Sequence, residues 1–440
     1  MTFEKKMKLP IYGTVRLVYN LANNKTIRSV FNCWNTKNKL KEGTTMNKVH
    51  SHVKKFPNWI FTLLAVACGI VVANLYYAQP LVGPISIDTH LPLASSGLIV
   101  TLTQLGYVIG LLFLVPLCDL IENRRLISSI LVVVIGALIA AASTQDALLF
   151  LIISMFIGLG SVATQILVPY AAHLAPEERR GQVIGNVMSG LLLGIMFARP
   201  IASFVADLWG WQMIFIFSAI VTAILTVLLA CVLPKRTPAP SMSYSELISS
   251  LWSLFKSKAI LRRRAFYQAC LFGAFSLFWT VIPLWLANHF HLSQQGIALF
   301  ALAGVAGAVA APLAGRLADK GWTNRLTGVA MFLAILSFLL THVFQDASSY
   351  ALANLVIAAI ILDMAVSGNL VLSQRVIYSL GGEIRGRVNG VFMAVFFIGG
   401  AIGSAVGGWA YAYGSWPLSS LIGLSMGVAA LLYYFTEKHN

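Results

Sequence analysis

The sequence predicts an all-α polytopic membrane protein, with twelve transmembrane helices in two six-helix bundles and both termini cytoplasmic. Three observations carry that prediction. Apolar runs of about 20 residues, long enough to cross a hydrocarbon core of about 30 Å, recur from residue 58 to residue 436. Only 10% of the 440 residues are Asp, Glu, Lys or Arg, against roughly 25% in a soluble domain. The two halves of the chain also echo one another around residues 178–194 and 383–399.

Residues 1–57 hold twelve of the 31 Lys and Arg, Glu4 and Glu42 as their acidic residues, and no run long enough to cross a bilayer. Two readings of this basic extension stay open: a disordered or surface-lying leader, and an overextended start with translation beginning at Met46. It is not a secretory signal, because the run that follows is too long and lacks a small-residue cleavage pattern. The apolar segments then fall near 58–80, 96–117, 126–143, 147–171, 182–206 and 211–233, the first bundle (58–233). A polar linker, 234–265, opens on Pro-Ala-Pro, which cannot continue a helix. The second bundle (266–436) holds segments near 266–288, 296–315, 326–343, 350–373, 388–411 and 416–436, followed by a cytoplasmic tail, 437–440.

Sidedness follows from the remaining 19 Lys and Arg, which flank or fill the even-numbered loops or the C-terminus, with Arg199 as the exception. Short basic loops stay on the cytoplasmic side, whereas Asp88, Asp146, Asp207 and Asp346 mark the opposite surface. The net charge of +16 is therefore a topology signal, and no nucleic-acid partner is expected. Cys33, Cys68, Cys118, Cys231 and Cys270 form no C-x-x-C pair, and His173, His289 and His291 form no persuasive metal set. No G-x-x-x-x-G-K-[ST] sequence is present to hold a nucleotide. The expected energy source is a proton gradient, with no other cofactor, no metal and no catalytic residue.

The echo matches Arg180 with Arg385, Gly181 with Gly386, Gly185 with Gly390, Met188 with Met393 and Gly194 with Gly399, and continues to Trp211 and Trp416. A second echo sets PLCD, 116–119, against RLAD, 316–319. Parallel repeats of this kind form two bundles that rock about a central cavity, which points to transport.

The segment GRLADKGWTNR, 315–325, resembles the cytoplasmic loop signature of the major facilitator superfamily through Gly315, Asp319, Lys320, Gly321 and Arg325. Its first-half counterpart, VPLCDLIENRR, keeps Asp119, Arg124 and Arg125 but has Val115, Leu120 and Glu122 where the signature has a glycine, a basic residue and a glycine. An aspartate facing a helix start and a basic side chain can latch one bundle orientation, and Arg180 and Arg385, each in an R-G-x-x-x-G context that lets helices approach, are assigned to the same latch. The stretch GLLLGIMFARPIAS, 190–203, resembles the fifth-helix signature of the drug and sugar proton antiporter branch through Gly190, Gly194 and Pro200. It departs at Ala198 and Arg199, so export and import both stay open.

Asp363 and Arg199 are the ionised side chains deep inside predicted segments, and hydrocarbon would cost either several kcal/mol. A carboxylate that takes up a proton loses its charge, which makes Asp363 the candidate for proton coupling. Whether it meets Arg199 is open at this point. Asn74, Tyr77, Gln104, Tyr107, Gln165 and Asn369 are candidates for lining a substrate cavity, with Tyr76, Gln79, Gln374, Trp279 and Trp285 as further polar or aromatic handles. Gly399, Gly403 and Gly407, four apart, predict a close helix contact.

The resemblance implies a secondary active transporter using alternating access, with proton-coupled efflux of a small organic or amphipathic solute as the leading expectation. Proton-coupled nutrient uptake is one alternative, and a polytopic receptor or intramembrane enzyme is another. The expected partners are the solute, protons and membrane lipid, the expected location is a bacterial inner membrane, and a monomer suffices because two fused halves can enclose a pathway. The sidedness is directly testable in a cysteine-free background. A membrane-impermeant maleimide added to intact cells should label Ala347→Cys and spare Thr237→Cys; the reverse pattern would invert the topology.

Overall fold

In a bilayer the backbone has no water to bond, so each apolar run satisfies its amides internally as a helix. The computed structural model describes residues 57–238, 242–344, 346–381 and 383–437, with the side chains of residues 178, 306, 308 and 309 left out. Residues 1–56, including Met46, and the tail residues 438–440 lie outside the described residues. Among those described, the chain is all helical, and ten helices are long and apolar enough to cross a membrane.

Two predicted runs depart from simple rods. The first segment is helical over Asn58–Ala73, turns irregularly, makes a 3-10 turn at Gln79–Leu81 and resumes at Val82–Asp88. This break leaves Asn74, Tyr76, Tyr77 and Gln79 buried, where surrounding protein rather than lipid meets the irregular backbone. At the other end, Arg385–Phe435 runs for 51 residues with non-helical backbone at Gly414 and at Ser415, whose φ is 52°. At 1.5 Å per residue such a rod would reach about 77 Å, more than twice a hydrocarbon core. The break falls between the runs predicted at 388–411 and 416–436.

The predicted linker also contains structure. Tyr244–Ser257 is a helix opened by a reciprocal cap between Ser243 and Glu246. Hydrogen bonds from Ser243 hold the exposed Glu246 carboxyl below the usual carboxylate range. The seventh segment begins at Ala259 rather than at residue 266. The apolar pattern missed this because Arg264, though 2% exposed, is provided for: it donates to Thr327 Oγ1 at 2.8 Å and Asn324 Oδ1 at 2.9 Å and pairs with Glu437 at 3.4 Å.

Glycines set the packing. A β-carbon on Gly69 would stand 2.6 Å from the Gly190 carbonyl oxygen, and one on Gly273 would stand 2.9 Å from that of Gly399. Gly194 likewise lies on Gly69 and Gly403 on Gly273, so first against fifth segment is repeated as seventh against eleventh. The sequence echo pairs Gly194 with Gly399, whereas the contacts pair Gly194 with Gly403, one helical turn further on. Second and fourth segments meet where Gly106 lies on the Met155 backbone and Gly158 on the Thr103 backbone. Such contacts gain dispersion at backbone distance, which lipid tails cannot match. Outward-facing Val132, Leu193, Val227, Phe332 and Leu421 are exposed, an apolar rim suited to lipid.

The halves meet closely at one end. At the Asp88 and Asp207 end, Thr101 Oγ1 and Ser404 Oγ are 2.8 Å apart, a β-carbon on Gly408 would stand 2.6 Å from the Gly97 nitrogen, and the Gln295 backbone donates to Asp207 at 3.2 Å. At the basic end, Gly181, Gly185, Gly386 and Gly390 have open space beside their α-carbons. The close helix approach expected of the R-G-x-x-x-G elements is therefore absent here, because these glycines face open space.

These contacts set a contrast between two glycines. Gly158→Ala should lower the stability of detergent-purified protein by about 1–3 kcal/mol, through overpacking against Thr103. Gly136→Ala, with nothing within 4 Å, should be neutral or stabilising by about 0.5–1 kcal/mol. Equal melting shifts for the two would refute the packing argument.

Candidate functional site

The ionised residues that the sequence left unconnected converge. Arg199, on the Arg180–Trp209 helix, is 2% exposed, and Asp363, on the Ser349–Tyr378 helix, is 4% exposed. Both reach the space beside Gly304, where the eighth segment tightens into a 3-10 turn over Leu302–Ala306. A β-carbon on Gly304 would stand 2.8 Å from Asp363 Oδ2 and 3.6 Å from an Arg199 Nη. No hydrogen bond or ion pair joins the two side chains among the described residues; the seventh-segment Trp279 contacts both. Its indole N–H donates to Asp363 Oδ1 at 2.8 Å, while its ring centroid lies 4.5 Å from the Arg199 guanidinium carbon. One aromatic residue thus offers its positive edge to the carboxylate and its negative face to the cation.

The guanidinium also lies 5.0 Å from the Phe275 centroid and 5.2 Å from that of Tyr76. Its Nε donates to Gln79 Oε1 at 2.7 Å, in the broken part of the first segment. Arg199 Nη2 and Gln79 Nε2 are buried without a partner. First, fifth, seventh, eighth and tenth segments therefore all reach one point. Trp279, Phe275, Ser276 and Phe272 lie on one face of the seventh segment at helical spacing, which is the signal by which sequence could have grouped them.

The proposed cavity residues form three further clusters. Gln165 Nε2 donates to the Tyr107 hydroxyl at 2.9 Å, and the Tyr107 ring lies 4.5 Å from that of Phe397. Gln104 Nε2 donates to Ser276 Oγ at 2.9 Å, a bond between the halves. Asn369 Nδ2 donates to Gln268 Oε1 at 2.7 Å, and Gln268 was not anticipated. Asn74, by contrast, accepts from Ser218 at 2.6 Å within the first half, and Tyr77 is buried beside it in the chain.

At the basic end Asp319 pairs with Arg375, a partner the signature did not name, while Lys320 and Arg325 are exposed. Gly321 has φ 84°, which explains a glycine there. Gly315 has only Val371 near its open side. In the degraded copy Glu122 holds Arg125 at 2.9 Å and Arg124 at 3.5 Å, and Arg124 also donates to the Leu233 carbonyl at 3.3 Å. Asp119 lines a cavity of about 520 Å³ with His173 and Arg236. Arg385 donates to the Tyr378 carbonyl at 3.1 Å, and Arg180 is exposed. Pro200 follows Arg199 inside its helix, and Gly190 and Gly194 carry the contacts with the first segment.

The protein has known relatives. The family model for the Major Facilitator Superfamily matches residues 61–357. The Escherichia coli O157:H7 protein named "Uncharacterized transporter YgaY" is 39% identical over 381 residues, covering 86% of this chain and 96% of its own length. A solved bacterial homologue of the lysosomal transporter Spinster shares the fold at TM-score 0.69 with 14% identity, over 86% of this chain and 96% of its own. The nucleoside transporter NupG matches at TM-score 0.68 with 16% identity, over 86% and 99%. With its described residues all helical, ten membrane-length helices among them, a glycine-packed repeat and these relatives, the chain belongs to the major facilitator superfamily of transporters.

Proposed function

We propose that this chain is a proton-coupled secondary transporter of a small organic or amphipathic solute in a bacterial inner membrane. It works as twelve crossings in two bundles, 58–233 and 266–436, with the basic end cytoplasmic. The observation that carries the reading is the meeting of Arg199 and Asp363, one from each half, at a buried point lined by aromatic rings. While Asp363 is ionised it attracts Arg199 across the two halves, and protonation removes that attraction. A proton can thereby bias the rocking of one bundle against the other. The state described is closed at the Asp88 and Asp207 end, with the basic end the side that opens.

The partial fifth-helix signature around Gly190, Gly194 and Pro200 supports outward movement by exchange with protons. Proton-coupled uptake is the second reading, since protonation of Asp363 would bias rocking in the same way for either direction of movement. A solute panel in reconstituted vesicles, with an imposed pH gradient and both orientations recorded, separates the two. Binding without flux would indicate a receptor, and product formation an enzyme.

Two variants test the coupling. Asp363→Asn keeps an acceptor for Trp279 but no titratable group, and proton-driven accumulation should fall by about tenfold or more, the scale of a site-to-site coupling. Unchanged proton-driven flux in that variant would sink the assignment. Trp279→Phe removes the indole donor and should cost about 1–3 kcal/mol of thermal stability by leaving Asp363 Oδ1 unpaired. This cost should shrink when Trp279→Phe is combined with Asp363→Leu, where no carboxylate remains to be stranded.

A further inference from the structure

We infer that Arg199 and Gln79 form the seat of a carboxylate carried by the transported solute; this rests on the reading of the buried centre as a transport site. The argument begins with what is left unbonded. Arg199 is 2% exposed and Gln79 is fully buried, yet Arg199 Nη2 and Gln79 Nε2 have no partner. The 2.7 Å bond from Arg199 Nε to Gln79 Oε1 fixes which way the amide faces and leaves its NH₂ as the unbonded end. Both vacant atoms are donors, and one belongs to a cation.

Asp363 does not fill the vacancy. Its Oδ1 takes the Trp279 indole at 2.8 Å, and no hydrogen bond connects it with Arg199. An ammonium group has no acceptor and cannot satisfy a guanidinium and an amide NH₂. A neutral amide or hydroxyl offers acceptors without charge. A carboxylate offers both, in the planar two-oxygen form that a guanidinium fork matches. The faces of Trp279, Phe275 and Tyr76, 4.5–5.2 Å from the guanidinium carbon, exclude water around that fork, which strengthens its pull on a carboxylate.

The test uses the full chain purified in detergent and three probes of matched shape: benzoate, benzamide and benzylamine. Each is added at about 10 mM, enough to occupy most of a site with a millimolar Kd, and read by melting temperature and tryptophan fluorescence. Benzoate should raise the melting temperature and change the tryptophan fluorescence, while benzamide, benzylamine and sodium chloride at equal ionic strength should not. Arg199→Gln should weaken benzoate by about tenfold or more, the usual scale for a lost charge-assisted bond. Because that variant leaves Asp363 without a counter-charge and can misfold, Gln79→Glu serves as the second arm. It sets an internal carboxylate beside Arg199 and should abolish the benzoate response without lowering the melting temperature.

Equal responses to the three probes, no response to benzoate, a full effect from chloride alone, or a benzoate response surviving both variants would each overturn the inference. Binding in detergent requires neither flux nor a pH gradient. Benzoate binding without vesicle flux would count against transport alone, and proton-coupled flux of amines without benzoate binding would count against the carboxylate seat alone.

Discussion

Two opposite charges buried in an apolar interior are the constraint on which the centre of this protein depends. Moving either ion from water into such surroundings costs several kcal/mol even after relaxation. Neither Arg199 nor Asp363 recovers that cost by direct contact with the other. Each is held by neutral neighbours instead: Gln79 and three aromatic faces for the arginine, the Trp279 indole for the aspartate. That division explains other features. The first segment must break to bring the Gln79 amide to depth, the seventh must present aromatic rings on one face, and the eighth must carry glycine at 304. A buried pair held slightly apart is also easier to change than one locked in a salt bridge, since a small shift in either side chain alters its balance of partners.

The glycine contacts divide the molecule into parts that stay together and parts that can separate. First with fifth, second with fourth, and seventh with eleventh segments meet at backbone distance, with no side chains between them to re-pack. Contacts between halves are more mixed: the polar pairs Thr101 with Ser404, Gln104 with Ser276 and Gln295 with Asp207 stand beside the Gly97–Gly408 approach and the Tyr107–Phe397 ring contact. Separating the polar pairs exchanges weak bonds for water, whereas parting the glycine seams within each half would forfeit dispersion along whole helices. Rocking of intact bundles is the motion this difference favours.

Much of this was legible in the sequence, and what was missed has physical reasons. Hydropathy gave the helices because bilayer thickness fixes a length, and Asp363 stood out because a carboxylate at that depth is rare. The close packing at Gly399 and Gly403 was readable from their spacing. Hydropathy reports depth along a helix but not the direction a residue faces across the bundle, so it could not join Arg199 to Asp363. For the same reason Trp279 looked interchangeable with Trp285. The signature named Lys320 and Arg325 near Asp319, but the bond goes to Arg375 on another helix. The start of the seventh helix was hidden because arginines normally end an apolar run, and Arg264 is tolerated inside only through partners 60 and 173 residues away in sequence.

That last arrangement bears on how the protein is made. Arg264 enters the membrane region early in the second half, but its carboxylate partner, Glu437, follows the Arg385–Phe435 helix. A ribosome reaches residue 437 only after every described helix has been synthesised. Until then the buried guanidinium has hydroxyl and amide partners from the ninth segment but no counter-charge. The second half is therefore electrostatically complete only once its last described helix has been made, so the ion pair ties the entry of this half to its exit.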